Sequence, residues 1–164
     1  MNIGTPKVAD YAARRYVSLR RQVVMPIRQV ATETMDEVVG EIDRQGILGT
    51  GAAIFKYNIV KMPELEMEFG FETSSAQSAK GPLKSGMLPA GRYAELTYVG
   101  PYRYLTKVNG VLIDWSRDND LVLDMEPAPD GDHFACRVEF YPNGPLDEPD
   151  EDKRKTIVAI KLKD

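Results

Sequence analysis

Acidic and apolar residues alternate almost without a break from Glu64 to Glu72, which sets Leu65, Met67, Phe69 and Phe71 on one buried face of a predicted strand. Upstream, Tyr16 to Val24 reads as a strand. Pro26, Ile27, Val30, Met35, Val38, Val39 and Ile42 then recur at helical spacing until Gly46, a residue suited to ending a helix. Ala52 to Tyr57 reads as another strand, so the first half runs strand, helix, strand, strand. From Thr73 to Ser85 the chain is rich in Ser, Gly and Lys, and this stretch is predicted to be a connection that buries little. The order then repeats. Leu88 to Val99 is predicted as a strand and Tyr102 to about Asp118 as a helix carrying Leu105, Val108, Leu112 and Trp115; Phe134 to Tyr141 and Thr156 to Leu162 are the last two strands.

Two βαββ units, about 14–73 and 86–164, that bury their helices on the same side predict an α+β fold. Its sheet would be mostly antiparallel, with two helices on one face and a groove between the halves, a usual location for small ligands. At 164 residues the chain is expected to be a single domain.

Composition narrows the function classes. The net charge of −4 disfavours direct nucleic-acid binding, which needs a clustered excess of Lys and Arg. The basic residues near the front, Lys7, Arg14, Arg15, Arg20, Arg21 and Arg28, are better explained as solvent-facing ends of the first strand and helix than as an anion patch. No apolar run is long enough to span a membrane and no apolar signal core opens the chain, so a cytoplasmic location is the expectation. A single cysteine, Cys136, and a single histidine, His133, argue against an internal disulfide and a His-rich metal site. Asp147 to Arg154 lacks calcium-loop spacing and reads as a solvated loop. No P-loop or dinucleotide motif is present, so no cofactor is expected.

The candidate chemistry sits in Glu139-Phe-Tyr-Pro-Asn-Gly-Pro145, where a carboxylate stands among strand-forming apolar residues. Alternation puts Glu139 and Tyr141 on one face and Cys136, Val138 and Phe140 on the other, so Cys136 reads as an inert core residue and Glu139 as a pocket acid or the partner of Arg137. A carboxylate among aromatic rings is costly to desolvate and calls for a partner, and a ligand cation can be that partner. Aromatic faces attract cations and stack on flat molecules. His133 lies in the polar turn Asp130-Gly-Asp-His133 and reads as a loop residue.

The segments Leu88-Pro-Ala-Gly-Arg-Tyr-Ala94 and Gly100-Pro-Tyr102, Trp115 on the following helix, Glu139-x-Tyr141-x-Asn143-x-Pro145 and Lys155-Thr-Ile-Val-Ala-Ile160 together resemble the GyrI-like small-molecule-binding domain. This family is related to the effector-binding domains of AraC-type and MerR-type multidrug regulators. The resemblance implies binding of lipophilic, often cationic compounds, and for some members hydrolysis of strained cyclopropane-bearing molecules. It places Glu139 at the pocket floor with Tyr141 beside it, Phe55 and Tyr57 on the equivalent strand of the first half, and Trp115 on the helix that closes the groove. Gly144 and Ile157 stand where the family often has acids, which weakens the case for dicationic ligands or a two-carboxylate mechanism.

Three functions follow as expectations: a binding protein for hydrophobic, cationic aromatic compounds, a hydrolase in which Glu139 is the catalytic acid or base, and a gyrase-inhibitor-like module with a protein partner.

Overall fold

The computed structural model describes residues 2–164. Its strands are β1 (Asn2–Ile3), β2 (Lys7–Tyr11), β3 (Arg14–Val24), β4 (Thr50–Lys61), β5 (Glu64–Thr73), β6 (Lys84–Leu88), β7 (Gly91–Val99), β8 (Met125–Ala128), β9 (Gly131–Phe134), β10 (Arg137–Tyr141) and β11 (Lys155–Lys161). Helix α1 spans Arg28–Gln45 and α2 spans Leu105–Asp118. The expected α+β architecture is present: one antiparallel sheet runs β1-β7-β11-β10-β4-β5-β3-β6, with β2 also paired to β7 and the β8–β9 hairpin paired to β4. No helix among the described residues is long and apolar enough to cross a membrane.

Both helices cover one face. Against α1 lie Val23, Leu65, Met67 and Phe69; against α2 lie Leu96, Tyr98, Val158 and Ile160, together with Val108 and Leu112 of the helix itself. Each such side chain contributes about 1.5–3 kcal/mol when fully buried, so the two clusters fix the helices to the sheet. Gly46 ends α1 as predicted, at φ 65, a left-handed conformation that lets its N–H return to the Asp43 and Ile42 carbonyls. Val39, predicted on the apolar stripe, is exposed.

The other face is also covered. Tyr16, Ile54, Leu88, Tyr93, Cys136, Val138, Phe140 and Ala159 form one cluster that joins β6 at one edge to β7 near the other. The sheet therefore curls over that face.

Several predicted boundaries are corrected. Leu88 to Val99 is two strands, because Pro89 and Ala90 break the ladder and send β6 to pair with β3 while β7 pairs with β11. Phe134 to Tyr141 breaks at Ala135 and Cys136, and His133 is a strand residue of β9, paired with Ile59, rather than part of a loop. Within the polar connection, Leu83 is fully buried against Leu19 and Val38.

Candidate functional site

Strand β10 lies at the centre of the sheet, between β4 and β11, where the two halves meet. Its register sets Glu139 opposite Phe55 on one side and Val158 on the other, all on the helix-covered face. The alternation read from the sequence holds: Cys136, Val138 and Phe140 enter the opposite cluster.

Glu139 is 1% exposed. Tyr57 Oη donates to its Oε1 at 2.7 Å, Tyr141 Oη donates to the same oxygen at 2.6 Å, and Asn109 Nδ2 on α2 donates to Oε2 at 2.9 Å. All three donors are neutral, and among the described residues no ion pair reaches this carboxylate. Burial, then the Glu139 charge, push the Tyr57 and Tyr141 hydroxyls well above the ordinary phenol range, so both stay protonated donors.

Aromatic rings wall the acid. Phe55 meets Tyr141 edge-on at 4.8 Å and Phe69 at 4.9 Å, and Tyr102, in the short turn before α2, meets Tyr141 at 5.4 Å. The Tyr102 hydroxyl and the Thr156 Oγ1 are buried without a hydrogen-bond partner. Arg137, on the same face of β10, is also buried; its Nη2 donates to Asn109 Oδ1 at 3.2 Å, so it touches Glu139 only through that amide.

The structure thus brings Glu139, Tyr141, Tyr57 and Phe55 together. Trp115 stands apart, half-buried with Leu112 and Ile160 in the α2 cluster. Six residues beyond Asn109, it lies about 120° round the helix and about 9 Å further along. Asn109 escaped the sequence reading, Tyr102 entered it only as the end of a motif, and Arg137, read there as the alternative partner of Glu139, is joined to it through Asn109 rather than directly. Asn109 had a signal, since it shares the stripe of Leu105, Val108 and Leu112.

Two hollows lie away from Glu139, about 520 Å³ beside Pro26, Arg28 and Thr32 and about 360 Å³ beside Arg92, Val122 and Lys163.

A second buried acid occupies the opposite face. Glu68 is 4% exposed and receives Tyr16 Oη at 3.0 Å, Ser18 Oγ at 2.8 Å, Asn58 Nδ2 at 2.9 Å and Lys56 Nζ at 3.2 Å. Unlike Glu139 it is neutralised directly. Burial alone would raise its carboxyl, but the Lys56 charge and the hydrogen bonds from Asn58, Ser18 and Tyr16 outweigh that and hold it below the usual range. Three of the front arginines are likewise engaged: Arg14 lies over Tyr11 and Phe140 and pairs with Glu72, Arg20 pairs with Glu68 and Arg21 with Glu37.

The profile of the GyrI-like small molecule binding domain matches residues 5–161. No curated protein matches the chain in sequence. Among solved structures, the C-terminal domain of EcmrR superposes with a TM-score of 0.80 at 16% identity, covering 97% of each chain. In the EcmrR–DNA complex the likeness covers 97% of this chain but 57% of EcmrR, with a TM-score of 0.77 at 16% identity. SAV2435 bound to tetraphenylphosphonium gives 0.65 at 8% identity, covering 97% of this chain and 94% of that one. A hydrolase from Listeria innocua gives 0.60 at 10% identity, covering 96% and 91%. With its central antiparallel sheet, its two helices on one face and a profile match over nearly its whole length, the chain belongs to the family of GyrI-like small-molecule-binding domains.

Proposed function

We propose that the chain binds hydrophobic aromatic small molecules at the Glu139 wall, and that the carboxylate receives a positively charged or N–H-bearing group of the ligand. One observation carries this: Glu139 is buried, receives hydrogen bonds from neutral donors and forms no direct ion pair, the Arg137 guanidinium acting on it only across the Asn109 amide. Burying a charge costs several kcal/mol unless it is paired. Glu68 illustrates the paired alternative in the same sheet, with Lys56 at 3.2 Å. A buried acid with no direct ion pair leaves a place that a ligand cation can fill. The surrounding rings of Phe55, Tyr57, Tyr102 and Tyr141 supply stacking and cation–π attraction. The binding of tetraphenylphosphonium by SAV2435, a protein of similar fold, supports the choice of a lipophilic cation as probe.

Trp115 lies on α2 with Asn109, so its emission reports any shift of that helix on binding. Titration with tetraphenylphosphonium and with neutral triphenylphosphine oxide, by calorimetry and Trp115 emission, tests the proposal. The wild type should prefer the cation, and Glu139→Gln should lose that preference by tenfold or more. Equal affinity in the variant would overturn the cationic role of Glu139.

The hydroxyls at 2.6 and 2.7 Å from Glu139 Oε1 also suit general acid–base work on a bound reactive molecule. That second reading, a hydrolase, is tested by mass-spectrometric turnover of a cyclopropane-bearing compound with wild type and Glu139→Gln.

A further inference from the structure

Arg137 has no part in the binding mode above, yet it is built into the same wall. Residues 137 and 139 alternate along β10 and face the same side, which separates them by about 6.6 Å. They are not paired directly. The Asn109 carboxamide lies between them, its Nδ2 donating to Glu139 Oε2 at 2.9 Å and its Oδ1 accepting from Arg137 Nη2 at 3.2 Å. The guanidinium is held against two rings, 5.0 Å from the Phe134 centroid and 5.4 Å from that of Tyr57. It is 8% exposed, and its Nε is buried with no hydrogen-bond partner. The charges of Glu139 and then of Asp132 on β9 also act on it, neither as a direct ion pair.

A guanidinium carries a planar edge of N–H donors matched to a carboxylate or a similar oxyanion. Leaving Nε unpaired under nine-tenths cover is costly unless a visiting group completes it. The same amide that occupies Glu139 occupies Arg137, so withdrawing Asn109 frees an acceptor and a donor together. Asn109 itself presents an N–H to the acid and a C=O to the guanidinium, and it marks the polarity that a replacement must have.

We propose that Glu139 and Arg137 form one bipolar site for a flat aromatic zwitterion, whose cationic nitrogen meets Glu139 and whose carboxylate meets Arg137 in place of the Asn109 amide. This rests on Glu139 being a ligand site, and it specifies the ligand class: net-neutral aromatic molecules carrying both charges are favoured over bare lipophilic cations, which the guanidinium repels.

Two probes that differ in a single group test it: 1-methylquinolinium and its zwitterionic 3-carboxylate, titrated calorimetrically into the full chain. The wild type should bind the zwitterion at least tenfold more tightly. Arg137→Met retains much of the side-chain volume between Phe134 and Tyr57 and should abolish or reverse that preference. Arg137→Lys, which keeps the charge but not the planar edge, should fall between them and serves if the Met variant does not fold, as judged by circular dichroism. A wild-type preference for the cation, or a ratio that both substitutions leave unchanged, would overturn the bipolar site while leaving the Glu139 pocket standing. The tetraphenylphosphonium titration decides that pocket independently.

Discussion

Replacing Glu139 separates the cost of the buried acid from its use. In Glu139→Leu the Tyr57 and Tyr141 hydroxyls lose the only partner each has among the described residues, whereas Asn109 Nδ2 keeps its bond to the Leu105 carbonyl at 2.9 Å. A buried hydroxyl stranded without a partner costs about 1–3 kcal/mol, so the two together cost about 2–6 kcal/mol. In the triple variant Glu139→Leu, Tyr57→Phe, Tyr141→Phe no hydroxyl is stranded. The single variant should therefore be less stable than the triple variant by about 2–6 kcal/mol. The triple variant still removes the Glu139 charge from beside the buried Arg137 guanidinium, so it should remain less stable than the wild type. At about 2–4 °C per kcal/mol for a chain of this size, a mid-range 4 kcal/mol separates the two melting temperatures by about 8–16 °C. Urea and thermal unfolding followed by circular dichroism measure this, and tetraphenylphosphonium titration measures binding on the same samples. Both variants should lose the cation preference, so the stability that the triple variant regains over the single one comes without function. A triple variant no more stable than the single one would show that the hydroxyls do not depend on Glu139, and the reasoning from a buried acid held by neutral donors would fail.

Glu68 should govern acid stability. Because its folded carboxyl is held below the usual value of 4.5, the native state binds fewer protons there; its contribution is intact above that value and is lost as pH falls through the lower folded one. Glu68→Gln should flatten the loss of stability below about pH 4.5 in pH-dependent urea melts, and an unchanged acid limb would refute the assignment. Cys136 is buried and burial pushes its thiol up, so native protein should react with a disulfide reagent only after denaturant is added; rapid native labelling would contradict this. Gly70 faces Ser18 across the β3–β5 ladder, and a Cβ there would collide with the Val17 carbonyl oxygen. Gly70→Ala should cost about 3 kcal/mol or more in urea unfolding, and a shift below about 1 kcal/mol would show that β3 can yield.

What the sequence reveals and conceals divides along one line, whether a contact is local or needs the whole sheet. The face of β10 was legible because alternation is local: Glu139 and Tyr141 had to point together, away from Val138 and Phe140. Phe55 and Tyr57 follow from the same period on β4. Pro89 next to Ala90-Gly91 was a local signal too, and its missing N–H accounts for the break between β6 and β7 that a continuous strand overlooks. Glu68 was different. In the run from Glu64 to Glu72 the acids fall on what a half-buried strand would give to solvent, and Glu66 alternates in the same way. Only the curl that brings Tyr16, Leu88 and Tyr93 into one cluster encloses that second face, and it joins strands far apart in sequence. Asn109 and Arg137 combine both cases. Their positions on an apolar helix stripe and on the acid's side of β10 are local facts, but the bond between them exists only because α2, packed on β7 and β11, brings Asn109 within reach of Glu139 and Arg137 at once. The site's polarity is thus a property of the docked helix: the strand supplies two opposite charges on one face, and the helix keeps them from pairing. A substitution that loosens α2 without touching β10 should therefore alter which ligands bind as well as how stable the fold is.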